Sequence, residues 1–146
     1  MGQSVATIDQ GKVYQGTAGA SGGTFTADYA VPTDQVARLR AECIVSIASG
    51  GHLASCASLV AEYVVENKNG TVSAPSAIAS SNNPANDTTT TFVASAAQAS
   101  DYIATGAVTL TWSISGTNAR CTFTNVGNPS AVNVTVVIKA ILVGST

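Results

Sequence analysis

The chain has 146 residues, the length of one ordinary domain, and can bury a sizeable core without metals or disulfide staples. Six Lys and Arg against eight Asp and Glu give a formal net charge of -2, which supplies no electrostatic footprint for nucleic acid or an anionic membrane. Only 10% of the residues are charged, against roughly a quarter in an average soluble protein, so much of the surface is expected to lie against neighbours; a hydroxyl-rich extracellular β domain is the other reading.

Taken in chain order, residues 1–6 carry neither the basic stretch nor the apolar run of a secretory signal, and Ala6 stands where a myristoylation pattern needs Ser or Thr. Residues 1–23 read as an extended lead with short strands at 5–8 and 12–15. They end in a Gly-rich loop at 16–23, after which 24–31 is a further short strand. Over 36–48, Leu39, Ala41, Cys43, Val45 and Ile47 alternate with Arg38, Arg40, Glu42 and Ser46, which predicts a half-buried strand with Ile44 the exception on its polar side. Gly50, Gly51 and His52 suggest a turn. Leu59, Ala61, Tyr63 and Val65 then alternate with Val60, Glu62, Val64 and Glu66 as far as Asn69-Gly70, a strong hairpin signal.

A short strand is expected at 71–73. Residues 76–91 read as a long Ser/Thr/Asn loop and the best candidate for a partner contact, with a weak strand at 89–95 and a short Ala-rich helical turn allowed over 94–104. Val108, Leu110, Trp112 and Ile114 alternate with Thr109, Thr111, Ser113 and Ser115 before a turn and a return through Arg120 to Phe123. The last strand, 132–143, is β-branched on both faces, as expected of a central strand, and no run reaches the roughly 18 apolar residues of a membrane helix. About eight to ten strands with turns between them predict an all-β, antiparallel, jelly-roll-like β-sandwich filling residues 1–146 as a single domain.

Constellations for chemistry are thin. Gly19-Ala20-Ser21-Gly22-Gly23 matches the nucleophile-elbow spacing, but no helical pattern follows it, so it reads as a glycine loop. His52 is the only histidine, and a zinc site drawn from Cys43, His52, Cys56 and Cys121 lacks close paired spacing. The three cysteines are an odd number without a repeated spacing; they read as reduced thiols, one disulfide being open to them. Glu62 and Glu66 share a strand face and read as edge charges rather than a glycosidase pair, with Arg38 and Arg40 as cross-sheet partners. Trp112 falls on the apolar face of its strand and reads as core; as a sugar-stacking platform, it or Tyr63 would make the chain a carbohydrate-binding module. The expectation is no enzyme, no catalytic residue, no cofactor and no metal.

The strand at 36–41, the hairpin Ala61-Glu62-Tyr63-Val64-Val65-Glu66-Asn67-Lys68-Asn69-Gly70, the Thr-rich loop, the strand at 108–115 and the apolar last strand occur in an order that resembles small β-sandwich modules of tailed-bacteriophage virions. Such modules are found in head decoration (cement) proteins and in tail fibre or tail-associated proteins. The resemblance implies a virion component, made in the host cytoplasm, that self-associates, often as trimers, and grips another virion protein without chemistry. Because the chain begins at Met1 and reads as one domain, capsid decoration through the major capsid protein is the first expectation. A tail fibre or tail accessory role is the alternative.

Overall fold

In a computed structural model the described residues are 4–49, 52–74, 87–93, 108–127 and 129–145. They form nine strands: β1 (Ser4–Ala18), β2 (Gly23–Ala30), β3 (Gln35–Ser49), β4 (His52–Lys68), β5 (Thr71–Ser73), β6 (Asp87–Val93), β7 (Val108–Ser115), β8 (Asn118–Asn125) and β9 (Val132–Ser145). The larger sheet has the order β1-β9-β3-β4, with β5 and β6 both paired to β4; the smaller has the order β2-β8-β7. Every pairing is antiparallel. The fold is the β-sandwich that the alternation predicts. Because β1 pairs with β9 while β2 pairs with β8, the two ribbons cross from sheet to sheet side by side, which is jelly-roll-like winding. The winding then departs from that pattern, since β3 and β4 stay together in the large sheet as one long hairpin.

Period-two alternation decides which side chains meet between the sheets. The large sheet turns Leu39, Val45, Leu59, Val65, Val134, Val136 and Ile138 inward, and the small sheet answers with Leu110, Trp112, Cys121 and Phe123, all buried. Each fully buried Leu, Val or Phe contributes about 1.5–3 kcal/mol of transfer free energy. Trp112 lies flat on Tyr63, with ring centroids 5.8 Å apart and planes 1° apart. Its indole Nε1 donates to the Ala61 carbonyl at 3.0 Å, so β7 is tied to β4 by both stacking and a hydrogen bond. At the β1–β2 side, Tyr14 Oη donates to the Asp28 carbonyl at 2.7 Å and Tyr29 Oη to Asp9 Oδ2 at 3.3 Å.

The turns follow their residue types. Asn69 (φ 53°) and Gly70 (φ 85°) are both left-handed, as a two-residue hairpin turn of this hand demands, and Asp34 Oδ1 accepts the Asn69 N–H at 2.9 Å. The amino-terminal segment differs from the expected lead: 4–18 is one continuous edge strand, and the Gly-rich turn is confined to 19–22. The break between 5–8 and 12–15 is a β-bulge at Asp9–Lys12, where Gly11 takes φ 118° and its N–H bonds Asp9 Oδ1 at 3.0 Å. Of the expected loop at 76–91, residues 87–91 belong to β6, whose β-branched run pairs with β4 from Cys56 to Glu62. Residues 76–86 of that loop, and the helical turn considered at 94–104, lie outside the described residues.

Candidate interaction surface

The cross-strand register builds a patterned surface on the side of the large sheet that faces away from the core. Directly opposed residues share a face. Ile8, Ile141, Arg38 and Val64 therefore form one row across β1, β9, β3 and β4, and Val13, Val137, Glu42 and Val60 form a second further along the strands. Between these two rows stand Lys139, Arg40 and Glu62. Beyond the first row, Val36 lies between Val143 and Glu66; beyond the second, Ile44 lies between Thr135 and Ser58.

Much of the apolar part of this face is bare. Ile8 is 67% exposed, Val13 63%, Ile44 62% and Ile141 50%, and Val36 and Val143 are exposed as well. Among the described residues these six make up most of the large exposed hydrophobics, the others being Ile114 and Val126. Single exposed apolar residues are ordinary, but several on one sheet face make that face a candidate contact surface.

The charged residues at the centre, three cations and two anions, are paired with one another. Arg38 Nη2 donates to Glu62 Oε2 at 2.6 Å and Arg40 Nη1 to Glu62 Oε1 at 3.2 Å; Arg40 Nε donates to Glu42 Oε1 at 3.2 Å and Lys139 Nζ to Glu42 Oε2 at 3.1 Å. The hydrogen bond from Lys139 is the first reason the Glu42 carboxyl is held below its ordinary pKa, with the positive charges of Lys139 and Arg40 acting in the same direction against some desolvation. Exposed pairs of this kind are each worth about 0–1 kcal/mol, so the network contributes pattern more than stability. Two shallow depressions lie on this face, one of about 370 Å³ lined by Ile8, Ile141 and the charged Arg38, Arg40, Glu62 and Lys139, the other of about 340 Å³ lined by Ile44, Val60, Glu42 and Val137.

The structure separates the residues considered for chemistry. Ser21 sits in the β1–β2 turn and is followed by strand β2 rather than a helix, so the elbow geometry is not formed. The His52 backbone opens β4, paired with Ser49, and not a turn; its side chain lies outside the description. Cys43, Cys56 and Cys121 form no disulfide with one another, and burial pushes the Cys43 and Cys121 thiols up to about 12. No group of three or more His, Cys, Asp and Glu suited to a metal occurs among the described residues. Trp112 and Tyr63 are buried against each other, which removes both as an exposed sugar platform. Glu62 takes both arginines, whereas Glu66 accepts from Ser73 Oγ at 3.4 Å, so the two glutamates do not work as a pair. The part of Lys139 was missed because its partner Glu42 is 97 residues away in sequence and only the β3–β9 register brings them together.

No protein-family model matches the chain, and no curated protein matches it. Among solved structures, it is similar in fold to the tailspike protein of Acinetobacter baumannii phage AM24, at 10% identity and a TM-score of 0.44, over 92% of this chain and 26% of that one. It is also similar to the tailspike protein of Acinetobacter phage vB_ApiP_P1, at 18% identity and a TM-score of 0.34, over 98% of this chain and 22% of that one. The chain thus spans about a quarter of the length of either structure.

Proposed function

We propose that the chain is a non-enzymatic structural module of a tailed-phage virion that holds to neighbouring proteins, copies of itself included, through the outer face of its large sheet. The observation that carries this reading is the banded surface of Ile8, Val13, Ile44 and Ile141 around an internally ion-paired charged row, in a chain with only 10% charged residues. Apolar groups held on a rigid sheet gain about 25 cal/mol per Å² when a partner removes them from water, and they cannot fold away by themselves. The tail-associated form of the reading agrees with the names of the two similar solved structures, and we place it ahead of capsid decoration; the surface is what supports the reading as a whole.

The test mixes the purified protein separately with tail particles and with head particles of the source phage and sediments each mixture. Retention by tails, lost in Ile141→Asp while folding survives, is the expected result. Retention by heads alone would move the module to capsid decoration. Retention by neither particle would overturn the virion role.

A further inference from the structure

We infer that the outer face of the large sheet receives a second copy of the chain, related by a two-fold axis that lies in the interface, runs across the strands and passes over the Lys139–Arg40–Glu62 row. This deepens the proposed assembly role and rests on it. An isologous interface requires a surface to be its own complement, so that if residue i meets residue j then j also meets i. Such an axis exchanges the rows on either side of the charged one. Ile141 then meets Val137 of the second copy, Val64 meets Val60, and Ile8 meets Val13, apolar on apolar at β9, β4 and β1. On β3 the same operation brings Arg38 over Glu42, opposite charges at the one position where the rows are charged. One row further out, Val36 falls on Ile44.

On the axis itself like residues face one another. Side chains of sheets packed face to face interdigitate, so Arg40 of one copy enters beside Glu62 of the other. Four strands about 4.8 Å apart, followed from residue 36 to 46 at about 3.4 Å per residue, project roughly 650 Å². The accessible area of a corrugated face exceeds its projection, which brings it near the about 800 Å² per partner of a stable interface. A nucleic acid fits poorly, because Glu42 and Glu62 lie among the three cations.

The experiment uses two variants, Arg38→Glu and Glu42→Arg, alone and mixed, followed by sedimentation equilibrium. Each variant alone sets like charges against each other at both symmetric contacts, and self-association is expected to weaken on the order of a hundredfold. In the mixture Glu at 38 meets Arg at 42, and Arg38 meets Glu42, so association recovers; a role confined to one copy cannot produce rescue by mixing. Should either charge variant fail to fold, Val36→Cys mixed with Ile44→Cys in a Cys56→Ser background is expected to form an intermolecular disulfide that neither forms alone. Wild-type protein that stays monomeric to about millimolar concentration, the weak end of measurable association, would overturn the inference together with self-assembly. An oligomer that mixing does not rescue, or in which residues 36 and 44 do not cross-link, would overturn the two-fold pairing and leave the assembly role standing.

Discussion

On the outer face of the small sheet, Thr24, Thr124 and Thr109 stand side by side, as do Thr26, Thr122 and Thr111, with the Asp28–Arg120 pair beside Ser113 in the next row. On the outer face of the large sheet, the same strand geometry presents isoleucines and valines around a charged row. Hydroxyl groups in such ladders bond to one another or to water and need no partner. Exposed isoleucines have no such recourse. The two faces of one sandwich therefore differ in what they ask of their surroundings: one is finished when the chain folds, and the other leaves apolar groups in water that the proposed association would cover.

The comparison depends first on the shared core. Trp112→Ala removes the Tyr63 stack and the hydrogen bond to Ala61, and it should destabilise the fold by about 3–5 kcal/mol in a denaturant titration. A loss below about 1 kcal/mol would mean the two sheets do not depend on each other as described.

Alkali probes the same interior. Burial, with the nearby charge and hydrogen bond of Asp9, raises Tyr29 to about 12, and burial raises Cys43 and Cys121 to about 12. The neutral forms are the ones the fold favours, so this contribution is fully present below the unfolded values of 9.0 for the thiols and 10.0 for the tyrosine and is lost as pH climbs toward 12. A melting temperature that falls across that window, less steeply in Tyr29→Phe, is expected; a flat profile would contradict the burial.

On the finished face, Arg120 holds Asp28 through contacts of 2.8 and 3.0 Å, and this hydrogen bonding is the first cause of the lowered Asp28 pKa. The stability it contributes is present above the unfolded carboxylate value and is lost as pH falls through the lowered one. Arg120→Ala should lower the melting temperature slightly at neutral pH and less in acid, with association unchanged. The smallest effect belongs to Thr122→Val, expected within about 0.5 kcal/mol of wild type. A change in its self-association would shift the contact to the wrong face.

Where the pattern was local, it was legible in the sequence. The alternation through Leu39 to Ile47 and the Asn69-Gly70 turn both stand as read, and Ile44, the exception on a polar strand face, is a member of the bare surface. Arg38 and Arg40 do pair across the sheet, with Glu62 of the two glutamates considered. What could not be read was register. A strand with apolar residues on both faces suggested burial on both, yet β9 is central only in its hydrogen bonding, with Ile141 and Val143 exposed on its far side. The bulge at Gly11 was also hidden, because one extra residue in an edge strand looks like a gap between two short strands. The long polar segment at 76–91, which the sequence offers as a contact region, lies outside the described residues over 76–86; the proposed contact surface lies on the sheet.

Sedimentation of the wild type beside one substitution on each outer face tests the central claim most directly. Ile141→Asp should abolish an association that the wild type shows, while Thr122→Asp on the small sheet leaves it intact, both variants remaining folded. Association lost in Thr122→Asp and kept in Ile141→Asp would contradict the account.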